Sequence, residues 1–282
     1  MDASYARTLW RVIEPVHIIS YFAPESVAAA KEIGLRGYWM GYFAMRAAPL
    51  GPVGPGVVEA TFHGFHPKRV RRAIPDAWTF AAHADVLAAR SAAAAAALRR
   101  ALPEIDGMAP PITELLRRAV DAADGTGRPL FAGNRDLPSP DDPVEALWQA
   151  VTALREHRGD GHVAILTAEG LDGPQSNVLA SAVMGSPGQW LKDSRGYSDD
   201  EWDAAHAALV ERGLLASDGT ATEEGRVFRQ AIEDRTDSRA AGPYRVLDDP
   251  SALYDALLPV AEAVIATGEI PFPNPVGVTR PA

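Results

Sequence analysis

Residues 198–236 limit the fold more tightly than any other stretch of the chain. Ser198 precedes the acidic run Asp199, Asp200, Glu201. A hydroxyl at that position accepts an orphan backbone N–H at a helix start, where the macrodipole also favours carboxylates. The helix so begun runs to Arg212 and stops at Gly213. Within residues 214–226 the Asp218-Gly219 pair lies between short strand-like pieces, the usual signal of a β-hairpin. A further helix is expected over residues 223–236.

The rest of the chain reads as helical too. Residues 3–14 place Leu9, Val12 and Ile13 on one side of a helix that is expected to end before Pro15, because proline disfavours helical geometry in the residue before it. Residues 24–34 start with proline and end with glycine around strong helix formers, matching helix start and stop rules. Residues 38–48 are aromatic and apolar, with Tyr38, Trp39, Tyr42 and Phe43 at spacings of three and four, and residues 82–102 are rich in alanine like a long, closely packed helix. Residues 142–156 form an amphipathic helix capped by Asp141 or Asp142, with Leu147, Trp148, Val151 and Leu154 on its apolar face. Gly159 and Gly161 then read as a cap and a turn, and short helices follow at 162–170 and 175–185. Residues 125–143 contain four prolines and three acids and are the best linker candidate.

Composition excludes several classes. With 282 residues, 47% hydrophobic and 23% charged, the chain is long enough for two modest cores or one extended core. It contains no cysteine, so any metal would rest on histidine and carboxylate. Residues 1–11 lack a signal-peptide apolar core and no apolar run spans a bilayer, which predicts a cytoplasmic protein with no membrane partner. No phosphate loop, dinucleotide fingerprint, nucleophile elbow or paired-carboxylate signature appears. The net charge of −10 is divided unevenly: residues 1–100 carry 12 basic and 7 acidic groups, and residues 101–282 carry 15 and 30.

The succession of helices, then 211–215 (ERGLL), Asp218-Gly219, 222–225 (TEEG) and a closing helix with Ile232 and Glu233, resembles the recognition-helix and wing segment of MarR-type bacterial regulators. The whole chain also resembles an actinobacterial winged-helix-like family, through residues 154–162 (LREHRGDGH), 194–202 (SRGYSDDEW) and 273–277 (PNPVG). These resemblances imply a mainly α fold: a helical N-terminal domain over 1–135, a winged helix-turn-helix domain with a small β-hairpin wing over 136–240, and a C-terminal helix with a Pro-rich tail over 241–282. They also imply a homodimer, which the apolar stripe Leu253, Leu257, Val260 and Val264 would serve unless it covers the core of the monomer. One departure bears on function. Residues 199–212, the expected reading helix, hold five acids and only one base, Arg212. A major-groove helix meets phosphates and base edges with Arg, Lys, Asn or Gln, so DNA is disfavoured as a partner of this helix.

Several polar clusters are site candidates. Glu14 and His17, three apart, join His63 and His66 of the FHGFHP motif as a metal set of three imidazoles and one carboxylate, suited to zinc, iron or haem; loop histidines bonded to backbone carbonyls are the plainer alternative. Residues 155–162 are the densest polar run, and Arg155, Arg158 and His162 could clamp an anion, although cations at a helix C-terminus also have a structural reason to be there. With Tyr21, Trp39, Tyr42 and Arg46, whose polar tips could line a cavity or whose rings could fill a core, they make up the ligand set. Lys68, Arg69, Arg71 and Arg72 form a basic patch, fit for phosphate or a solvated face. The reading that joins these points is a winged-helix protein binding a small molecule between its halves, with catalysis left open. A MarR-type DNA-binding regulator is the alternative, and a partner-binding scaffold is a third.

Overall fold

Pro15 does not end the first helix. In the computed structural model, which describes residues 3–274 and 276–281, α1 (Ala3–Phe22) continues through it. Met1 and Asp2, and Pro275 of the 273–277 segment, lie outside the described residues. An interior proline costs about 3 kcal/mol. Each fully buried aliphatic side chain returns about 1.5–3 kcal/mol, and Leu9, Val12, Ile13, Val16, Ile18 and Ile19 are all sequestered along α1. Packing therefore outweighs the local signal.

The remaining N-terminal helices are α2 (Pro24–Glu32), α3 (Gly37–Ala47), α4 (Pro55–Thr61), α5 (Pro67–Arg71) and α6 (Ala77–Phe80). The alanine-rich segment forms α7 (His83–Ala101), followed by α8 (Ile105–Asp121). The expected linker contains α9 (Pro129–Arg135), whose Leu130 and Phe131 are 2% and 0% exposed, so that segment is folded into the interior.

The two helices expected over 142–156 and 162–170 are one, α10 (Pro143–Ala168). Asp142 caps it, accepting from the amides of Val144 and Glu145. Gly159 and Gly161 neither cap nor turn the chain. A Cβ at position 161 would lie 2.5 Å from Nη1 of Arg128, which crosses this surface to donate to the His157 carbonyl. The glycine leaves room for a guanidinium.

After α11 (Gly173–Met184) and α12 (Gly188–Arg195) comes α13 (Asp199–Glu211), whose capping box pairs Ser198 with Glu201 as its sequence predicts. The β-hairpin wing is not formed: among the described residues there is no β-strand, and the turn through Asp218-Gly219 is closed by a single antiparallel bridge between Leu215 and Ala221. Gly219 takes φ +86° there, and Asp218 folds onto the amide and hydroxyl of Thr220, so the local turn chemistry holds where the ladder does not. α14 (Glu223–Ala240) and α15 (Pro250–Ala266) complete the chain.

α10 is the central strut, packed against α1, α7, α8, α9 and α14. The largest apolar cluster joins α1, α7, α8, α10 and α15; a second lies among α3 to α7, and a third gathers Ile165 and Leu166 of α10 with α11, α13 and α14. Leu253, Leu257, Val260 and Val264 are fully buried in the first cluster, so the stripe that could have served dimerisation covers the core of the monomer. No helix of the described residues is long and apolar enough to cross a membrane.

Candidate functional site

The site is organised by the antiparallel register of α1 and α10. One turn along α1 meets one turn back along α10. Glu14 thereby faces Arg155, whose Nη2 donates to its carboxylate at 3.0 Å. His17 faces Thr152, with Nδ1 sharing a hydrogen bond of 2.9 Å with the hydroxyl, and its backbone carbonyl accepts from Trp148 Nε1. Because α1 continues past Pro15, His17 is presented on a regular helix, buried to 2% exposure.

A network of ion pairs extends from this register. Arg155 also donates to Glu156 at 2.9 Å, and Glu156 accepts from Arg46 of α3 at 3.0 Å, while Arg46 Nη1 reaches the Tyr42 hydroxyl at 2.9 Å. Burial alone would raise the Glu156 carboxyl, but the guanidiniums of Arg46 and Arg155 hold it down at about 2. Farther along α10, Arg158 bonds Glu233 and Asp237 of α14, which also hold Arg7 of α1. His162 bonds Thr236 and is kept neutral by burial, its pKa lowered to about 3.

These residues surround a cleft of about 560 Å³ between α1, α3, α10, α11, α12 and α14. Its lining includes seven arginines, Arg7, Arg11, Arg46, Arg155, Arg158, Arg195 and Arg229, against the four carboxyl groups of Glu14, Glu156, Asp160 and Glu233. Arg11 pairs with no carboxylate among the described residues, and its buried Nε has no hydrogen-bond partner. Burial together with the neighbouring Glu156 raises the Asp160 carboxyl to about 7, although it accepts the Phe131 amide at the start of α9. The cleft of an acidic chain is thus cationic.

A second, narrower cavity of about 170 Å³ abuts the first at Tyr42, Arg46 and Glu156, which line both. Its walls include Ala30, Leu35, Met45, Tyr38 and Trp148. At its inner end the Tyr21 hydroxyl lies 2.7 Å from His17 Nε2, so Tyr21, His17 and Thr152 form one hydrogen-bonded row. Burial, reinforced by Arg155, lowers His17 well below the usual imidazole range, and burial raises the Tyr21 phenol. In either tautomer one ring nitrogen donates and the other accepts, so the row could hand a proton between a bound group and the imidazole.

Of the expected ligand set, Tyr21, Tyr42, Arg46, Arg155, Arg158 and His162 line one or both cavities. Trp39 does not: it packs among Tyr38, Phe43 and Phe65 with the Arg69 guanidinium 4.6 Å from its ring. The expected metal set is not brought together. Glu14 holds Arg155 and His17 holds Tyr21, while His63 bonds the Leu171 carbonyl and His66 caps α5 through the Lys68 amide and bonds Glu201. Among the described residues no group of three or more histidines and acids is arranged to hold a metal ion. The basic patch is dispersed, since Arg71 pairs with Glu59 and Arg69 bonds the Asp193 carbonyl.

Sequence reasoning missed Arg7, Arg11, Arg195, Thr152 and Glu233. Arg7, Arg11 and Glu14 recur at helical spacing with Trp10 inside the helix expected over 3–14, a polar face that the reading of its apolar side alone passes over. Arg195, over the Phe65 ring at 4.4 Å, closes α12, an eight-residue helix to which the sequence reading gave no element.

The outward face of α13 contrasts with the cleft. Asp200, Asp203, Ala204, Ala207 and Glu211 are exposed along it, and Asp199 is paired with Lys192. No curated protein and no solved structure matches the chain. A family model described as a helix-turn-helix family matches residues 6–271. That span takes in the narrow cavity, all but Val276, Gly277 and Thr279 of the wide cleft's lining, the arginine network and the acidic helix alike, and the chain belongs to this helix-turn-helix family.

Proposed function

We propose that this helix-turn-helix protein binds a small anionic molecule in the cleft between α1, α3, α10 and α14. The observation that carries the reading is the seven arginines against four carboxyl groups around a 560 Å³ cavity, in a chain of net charge −10. Glu14, Glu156, Glu233 and Asp237 already hold Arg7, Arg46, Arg155, Arg158 and Arg229, so the reading leans on Arg11, which has no carboxylate partner among the described residues; planar guanidinium forks fit carboxylate and phosphate oxygens. A cavity of this size holds a metabolite. The row of Tyr21, His17 and Thr152 beside it offers proton transfer, should the bound molecule be turned over.

Calorimetric titration with inorganic phosphate and citrate in low salt tests the reading, with glucose as the neutral control. Saturable binding of at least one anion, weakened about tenfold in Arg11→Gln, is expected; silence from both anions overturns it. Membership of the helix-turn-helix family favours a second reading, a DNA-binding regulator of MarR type that reads through the basic residues 68–72 or a dimer surface. The carboxylates on α13 oppose it, because groove binding draws on phosphate neutralisation. A gel shift with the gene's own upstream DNA at two salt concentrations decides: steeply salt-dependent binding supports the regulator.

A further inference from the structure

The narrower cavity has a chemistry of its own. Its walls are largely apolar and aromatic, with Ala30, Leu35, Met45, Tyr38 and Trp148 among them and Lys31, Arg46, Arg90 and Glu156 as its charged groups, whereas the wide cleft is lined by seven arginines. A ~150 Å³ apolar cavity in a protein core stays dry and takes up a benzene ring, and this one measures about 170 Å³. Two polar atoms in its lining are buried without partners, the Ser26 hydroxyl and the Arg46 Nε. A buried donor left unsatisfied is costly, so the Arg46 Nε marks where a ligand acceptor would be welcome. Arg46 stands at the boundary of the two cavities and belongs to both linings.

We infer that the two cavities are halves of one site for an aryl carboxylate. The aromatic ring occupies the narrow cavity, and the carboxylate turns toward Arg46 and the arginines of the wide cleft. The inference rests on the anion-binding reading above, and it specifies the class of molecule. Ring stacking against Tyr21, Tyr42 and Trp148 supplies affinity that a bare anion lacks, and the arginines reject the neutral ring.

Calorimetric titration with 3-phenylpropionate, acetate, benzyl alcohol and inorganic phosphate tests this on the full chain. Phenylpropionate is expected to bind at least tenfold more tightly than acetate or benzyl alcohol. Ser26→Leu, which fills the narrow cavity, is expected to erase that gain while leaving phosphate binding unchanged. Val27→Trp does the same at the rim, where Val27 is 49% exposed and a larger side chain does not disturb the core. If phosphate binds but phenylpropionate binds no better than acetate, the joint site is overturned and the anion cleft stands. If benzyl alcohol binds as tightly as phenylpropionate, the carboxylate half is overturned. Silence from every anion overturns both.

Discussion

The cleft between α1 and α10 and the outward face of α13 carry opposite charge under opposite solvation. In the cleft, Glu14 and Glu156 are each 2% exposed and are held by Arg155 and Arg46 at about 3 Å. On α13, Asp200, Asp203 and Glu211 stand in water with no cation paired to them among the described residues. Coulomb energies that water screens to about 1 kcal/mol at 4 Å grow several-fold where water is excluded. The interior ion pairs therefore weigh far more on how firmly the protein is built than the surface acids do. This member of a helix-turn-helix family thus keeps its guanidinium cluster inside and its unpaired acids outside.

Three variants put that contrast at risk. Arg155→Met strands the buried Glu14 carboxylate and takes one of two guanidiniums from Glu156, and is expected to cost about 3–5 kcal/mol in chemical denaturation; a loss below about 1 kcal/mol would mean that the pairs are solvated after all. Asp160→Asn acts by pH. The folded carboxyl titrates near 7, above its ordinary 3.8, so the fold favours the protonated form. Its contribution to stability is full below about pH 4 and is lost as pH rises through 7. The amide variant stays neutral, so it should exceed the parent by roughly 1–3 kcal/mol at pH 8, with the gap closing toward pH 5. Melting curves at both pH values read this directly, and an equal gap at both would reject a buried titrating carboxyl. The double change Asp200→Asn, Asp203→Asn on α13 is expected to move stability by less than about 1 kcal/mol, mostly through the helix dipole. A larger loss would show that the acidic face is structurally engaged.

The helices whose local signals agree with their packing were legible in the sequence. Ser198 with Glu201, and Asp142 ahead of Pro143, fix the starts of α13 and α10 through their own side chains. The errors lie where distant groups override local rules. Pro15 reads as a stop, yet the apolar side chains flanking it bury into three other helices. Gly161 reads as a turn, yet the residue that explains it, Arg128, is thirty-odd positions away. At residues 215–221 the turn residues act as expected, but one bridge is all the pairing that forms, and turn chemistry alone could not foretell its length. The arginines of 155–158 were visible as a cluster; their acid partners on α1 and α14 are brought to them only by the tertiary fold.

Continuity of α10 has a mechanical corollary. At 1.5 Å per residue its 26 residues make a rod of about 39 Å, seated in one apolar cluster near Leu147 and in another at Ile165 and Leu166. Its middle turn carries the guanidinium of Arg155 and the carboxylate of Glu156. A ligand that drew those groups toward itself would lever the whole shaft, and α11 and α13 would swing with its far end as cargo.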